Sequence, residues 1–138
     1  MPPDHHEPLP ESWSYGLYIP HDPRAVRVAR ATIRCVLGTA RLERLTDTAE
    51  LLLSEVVTNA YRYSTADVYV AMDWVPHQLE VHVFDTGPLR GVAERHGDGL
   101  AESGRGLPLV AACADAWGVR TYGGDGKSVW FRMAGARD

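Results

Sequence analysis

The sequence predicts an α+β fold, a two-layer sandwich with helices packed on one face of a mixed, mostly antiparallel sheet. Three observations predict it. Stretches 22–41 and 46–63 carry apolar residues at helical spacing, and a shorter one follows Gly106. Runs near 66–74, 79–85, 117–122 and 128–133 alternate with period two, joined in pairs by turn residues. The order is strand, two helices, two strands, loop, helix, two strands, which lets hairpins build a sheet and helices cover one side of it.

Each element has a local reason. Residues 15–19 read as a short strand. Asp22-Pro23 then starts a helix, with an acceptor at the cap and proline at the first helical position. Its stripe is Val26, Arg30, Ile33, Leu37 and Ala40. The second helix begins near Thr46-Asp47, with Glu50 placed to complete a capping box on Asp47. Its stripe is Ala49, Leu52, Val56, Ala60 and Tyr63. Pro76-His77 turns one strand run into the next. From 86 to 103 periodicity disappears and glycines accumulate, which predicts a lid or binding loop. A third helix has Leu107, Val110, Ala111 and Ala114 on one side, with Pro108 confined to its first turn. Gly123-Gly124-Asp125-Gly126 joins the last two strands.

The totals bound the function. At 138 residues and 45% hydrophobic, the chain suits a single domain: a flexible arm over 1–13, a folded unit over 14–134 and a tail over 135–138. No stretch approaches the roughly 18 apolar residues of a membrane span, and the first residues lack the basic start and apolar run of a signal peptide. The expected location is the cytoplasm, with no membrane partner. A net charge of −4 without a basic block argues against direct nucleic-acid binding. Cys35 and Cys113 are too few for a disulfide framework or a four-ligand zinc site, and are expected as buried, reduced thiols.

Three constellations carry chemistry. In Ser54-Glu55-Val56-Val57-Thr58-Asn59-Ala60, Glu55 and Asn59 lie one helical turn apart and about 40° around the axis. A carboxylate and an amide beside an apolar stripe need a polar counterpart, which a magnesium ion with phosphates supplies. A plain surface reading pairs Glu55 with Arg62 or another arginine and leaves Asn59 in solvent. In Val83-Phe84-Asp85-Thr86-Gly87, alternation puts Asp85 at the end of a core-facing row, where an adenine amino group is a fitting donor; Gly87 lets backbone approach a base. The plain reading makes Asp85 a turn cap. Gly104-Arg105-Gly106-Leu107 opens a helix with unobstructed amides, a place for phosphate, or else an ordinary loop before a helix. Gly126-Lys127-Ser128 imitates a P-loop, but a strand follows it and the leading glycine is missing.

In this order and spacing the three constellations resemble the motifs of the GHKL ATPase and kinase superfamily. Residues 53–60 look like its N box, Asp85-Thr86-Gly87 its adenine box, and Gly104-Arg105-Gly106-Leu107 its glycine box at the lid. Residues 126–131 resemble the last strand of that fold, where a Thr or Ser lies near the base. The opening Asp22-Pro23-Arg24-Ala25-Val26 is similar to the stand-alone anti-sigma factor serine kinases. The resemblance implies the Bergerat fold and ATP with Mg2+ as cofactors. It implies Glu55 as general base and Asn59 as magnesium ligand. It also implies Asp85, Gly87 and Ser128 at the base, and Gly104, Arg105, Gly106 and Leu107 at the phosphates. Relatives often show Arg-His-Ser where this chain has Arg62-Tyr63-Ser64, and a second glycine where it has Leu89.

The function so implied is a serine/threonine protein kinase that phosphorylates a STAS-type anti-sigma antagonist and binds a sigma factor, with pairing into a homodimer. The alternatives are an ATP-holding regulatory module without kinase activity and a simple ATPase. A histidine kinase fits poorly, because none of His5, His6, His21, His77, His82 or His96 sits in a suitable helical hairpin.

Overall fold

The computed structural model describes residues 12–85, 106–122 and 126–135. Strand β1 (Trp13–Ile19) leads into helix α1 (Ala25–Thr39), a short 3-10 turn (Glu43–Leu45) and helix α2 (Thr46–Tyr63). Strands β2 (Val68–Val75) and β3 (Gln78–Asp85) follow, then helix α3 (Gly106–Cys113) and strands β4 (Ala116–Thr121) and β5 (Lys127–Ala134). The sheet order is β1-β2-β3-β5-β4. All four neighbouring pairs are antiparallel, so the expected mixed sheet is, among the described residues, uniformly antiparallel.

Alternation decides which side chains enter the core. Ile19, Val68, Val70, Met72, Leu79, Val81, Val83, Val129, Phe131 and Met133 share one sheet face and are buried. They meet Ala25, Ala29, Ile33 and Leu37 of α1, Leu52, Leu53, Val56 and Val57 of α2, and Leu107 and Val110 of α3 in one cluster. The three helices therefore cover a single face, the two-layer arrangement that the patterning predicts. Among the described residues no helix is long and apolar enough to cross a membrane.

The start of α1 departs in detail. Asp22 accepts the Arg24 N–H at 2.7 Å through its side chain and the Ala25 N–H at 3.0 Å through its carbonyl, while helical pairing begins at Ala25. The buried row is Ala25, Ala29, Ile33 and Leu37, with Val26 at its margin and Arg30 exposed. Arg30 is thus outside the stripe: burying it would strand a charge, and the two alanines let the helix close on the sheet.

Helix α2 is entered from the 3-10 turn with no side-chain cap, so the Asp47–Glu50 capping box does not form. Glu50 is 8% exposed and turns toward α1, where its carboxylate takes the guanidiniums of Arg30 at 3.3 Å and of Arg34. Two arginines outcompete one exposed amide for that carboxylate. Toward the far end of α2, Tyr63 lies at 36% exposure, outside the stripe it was assigned to. There the His21 ring stacks on Tyr61 at 4.3 Å and its Nε2–H donates to the Tyr61 carbonyl at 3.0 Å, satisfying an acceptor of the last turn.

The β2–β3 hairpin turns on Pro76 and His77, with Val75 facing Gln78. His77 takes φ 71°, as a tight turn after proline requires. Cys35 and Cys113 are free and exposed, not buried; both sit on helix positions that the core-facing rows do not use. Ala111 likewise faces outward, leaving Leu107 and Val110 to anchor α3.

Candidate functional site

Helix α2 brings two polar side chains to the border of the core. Asn59 is only 5% exposed, and Glu55, one turn earlier, is half-buried. Neither makes a hydrogen bond or ion pair with a described residue; in particular Glu55 does not pair with Arg62. Asn59 is not among the fully buried polar side chains that lack a partner, so solvent or a ligand can reach its amide atoms. Val56 and Val57 fix the helix rotation that produces this exposure, since both are 1% exposed. α2 also packs on α3 and touches β3 and β5. The helix bearing Glu55 and Asn59 therefore meets the two strands and the helix that carry the other sequence-predicted groups.

At the end of β3, Asp85 faces the helix side of the sheet, in line with Val81 and Val83, and is 5% exposed. Cross-strand register sets it opposite Lys127, the first residue of β5. The Lys127 ammonium donates to Asp85 Oδ1 at 3.0 Å, and the two side chains are 5% and 4% exposed. The pair stands at the end of the sheet; a cleft of about 350 Å³ that reaches it has its aromatic walls, Tyr69, Phe84 and Tyr122, on the sheet face away from the helices.

Leu107 is buried at 1% and pins the first turn of α3 into the core. Gly106 is the first helical residue. Gly87, Gly104 and Arg105, assigned to the base and the phosphates, lie outside the described residues, as do the expected lid over 86–103 and residues 1–11 of the arm expected over 1–13, whose last residue, Trp13, is the first of β1. Ser128 is fully buried but points to the sheet face opposite Asp85. Its register partner is Phe84, and its hydroxyl meets Tyr122 Oη at 3.2 Å. The side chain next to Asp85 is Lys127 instead, because alternation sends 127, 129 and 131 one way and 128 the other.

A family model for the histidine kinase-like ATPase domain matches residues 19–133. The chain belongs to that family. A comparison with curated proteins finds no match. Membership fixes the fold as the GHKL type and implies that this ATPase domain binds ATP.

The residues of the ATPase domain fit a magnesium nucleotide. Among the described residues no group of three or more His, Cys, Asp or Glu could hold a metal alone. Magnesium needs no such cage, since it keeps several waters and takes one or two protein oxygens together with phosphates. The Asn59 amide, without a partner among the described residues, could supply one hard oxygen, with the Glu55 carboxylate one turn away.

Sequence reasoning missed Lys127 as a site residue. A usable signal was present: Lys127 is the only lysine of the chain and shares parity with Val129 and Phe131. It also missed the back of the sheet. There His82, 8% exposed, bonds Glu80 at 2.7 Å through Nε2, while its buried Nδ1 has no partner among the described residues. Glu80 also holds Arg132 at 3.1 Å and is lowered from the ordinary carboxylate value despite the opposing effect of burial, because His82 and Arg132 bond its charged form. Arg132 lies 5.2 Å over the Trp130 ring, and His82 stacks on Trp130 at 6.1 Å. These contacts tie β3 to β5 on the face away from the helices.

Proposed function

We propose that this ATPase domain is a serine/threonine protein kinase of the anti-sigma type. It would transfer the γ-phosphoryl group of ATP to a serine of a STAS-type antagonist and regulate a sigma factor by exchanging partners. The observation that carries the reading is the pair on α2: a half-buried carboxylate with no counter-ion among the described residues, one turn from an amide at the border of the core with no described hydrogen-bond partner. A structural ion pair would have filled Glu55; a general base has to stay open.

In this reading Glu55 accepts the proton of the serine hydroxyl as its oxygen bonds to the γ-phosphorus and the bond to the β-phosphate bridge breaks, leaving ADP. Asn59 holds the cation by its amide oxygen. Magnesium, when bound, neutralises charge that grows on the phosphates. Asp85 orients the nucleotide by accepting from the purine amino group, and the first turn of α3 closes the phosphate end. The buried position of Asn59 keeps that oxygen in one place, which is what positioning catalysis asks of it.

Calorimetric titration with MgATP tests the binding half. Wild type binds, and Asn59→Ala loses at least about tenfold, the worth of one charge-assisted contact. Equal affinities in the two proteins would remove the magnesium assignment. Transfer of labelled phosphate to a STAS-type antagonist tests the kinase half. Glu55→Gln keeps ATP binding and loses transfer by at least about a hundredfold. Transfer that survives Glu55→Gln would sink the base assignment. Regulation of a partner that persists without any transfer would instead mark an ATP-dependent binding module.

A further inference from the structure

The polar residue beside Asp85 on the helix-facing side of the sheet is not a hydroxyl but Lys127, at 3.0 Å. We propose that Lys127 is a specificity-determining residue of the base subsite: its ammonium donates to the purine ring nitrogen N1 while Asp85 accepts from the neighbouring amino group. This rests on the reading above, in which Asp85 meets the base.

Three observations support it. First, the pair is an expensive way to hold two strands together. Replacing a buried ion pair by apolar side chains of similar volume is often neutral or stabilising, so the core alone gives no reason to keep it. Val129 and Phe131, next in the same row of β5, show that the site accommodates apolar residues. Second, the pair is not sealed in. It lies on the last register row of β3 and β5, at the end of the sheet rather than in its middle.

Third, the chemistry is complementary. The edge of adenine presents a donor, the amino N–H, beside an acceptor, N1. A carboxylate beside an ammonium presents the matching acceptor and donor. An ammonium carries three N–H groups and a carboxylate about four lone-pair sites, so the contact between them exhausts neither. In the same pose guanine would set its carbonyl against the carboxylate and its N–H against the ammonium, which repels on both counts.

Equilibrium binding of ATP and 1-deaza-ATP, in which C–H replaces N1 and the amino group stays, tests the proposal on the full chain. Wild type binds 1-deaza-ATP at least about tenfold more weakly than ATP, the worth of one hydrogen bond from a charged donor. Lys127→Met binds ATP more weakly and brings the ratio of the two affinities close to one. Equal affinity of wild type for both nucleotides overturns the proposal while leaving ATP binding in place. A wild type that binds neither removes the nucleotide reading, and this proposal with it. If Lys127→Met fails to fold, the wild-type comparison still decides.

Discussion

Replacing Asp85 with Ala leaves Lys127 as a cation with no counter-charge in a site where its side chain is 5% exposed. At 3.0 Å the partners are in full hydrogen-bonding contact, and neither is screened by bulk water. An exposed pair of this geometry would be worth about 0–1 kcal/mol. Breaking a buried one costs about 3–5 kcal/mol, because the stranded charge keeps its desolvation penalty. Lys127 sits on the last row of the sheet, where the backbone can relax, so the lower end applies. Asp85→Ala should therefore lose about 3 kcal/mol of unfolding free energy, with Tm lower by about 10 °C. The double variant Asp85→Ala with Lys127→Met removes the stranded charge and keeps the stem volume, so it should be more stable than Asp85→Ala alone. Urea unfolding followed by tryptophan fluorescence compares wild type, the single variant and the double variant. A single variant within about 0.5 kcal/mol of wild type, or a double variant no better than the single, would show that the pair does not couple as its burial requires.

Other outcomes follow from the same coordinates. Glu50→Ala frees α2 from Arg30 and Arg34, whose side chains are 52% and 59% exposed, so solvent screening holds the loss near about 1 kcal/mol in urea unfolding. A loss above about 3 kcal/mol would mean Glu50 carries more than this staple. The Asp22 carboxyl should titrate in NMR at about 2, below its ordinary 3.8, because the Arg24 side chain and backbone N–H bond its charged form. Its contribution to stability is then complete above pH 3.8 and fades as pH falls through about 2; a midpoint near 3.8 would remove the Asp22–Arg24 contact from solution. Cys35 and Cys113 should both react with a thiol reagent in native buffer, without denaturant, since both are exposed. A thiol that reacts only on unfolding would contradict its placement.

Much of the fold could be read from periodicity alone. The hairpin runs near 66–74 and 79–85 became β2 and β3, and Leu107 and Val110 were placed on the buried side of α3. Helix phase was harder. A stripe through Val26 and Arg30 and one through Ala25 and Ala29 differ by a single residue, about 100° around the axis. Local hydrophobicity favoured Val26, but the long-range contact of α1 with α2 decided, because Glu50 draws Arg30 outward. The capping box failed for the same reason: Glu50 met a tertiary partner that a local motif cannot see. Both cysteines were expected inside because of what cysteine usually does, and their helix positions overrode that preference.

The site divides along the same line. Glu55 and Asn59 share a helix edge by spacing, and the structure leaves both without a described partner, so a local rule reached a tertiary fact. Asp85 was placed at the end of a core-facing row, and it lies there, but its neighbour depended on which residue of β5 arrives opposite it. Strand pairing at a separation of 42 residues settles that, and one position decides the chemistry. With Ser128 in register the aspartate would face a hydroxyl; with Lys127 in register it faces a full charge. A one-residue slip reverses every side chain of a strand. Val129, Phe131 and Met133 cannot leave the core without exposing the inner face of β5, so the apolar row holds the register and Lys127 is carried inward with it. The charge beside Asp85 thus follows from the packing of three hydrophobic residues, and the electrostatics of the proposed base subsite is set by the same alternation that builds the sheet.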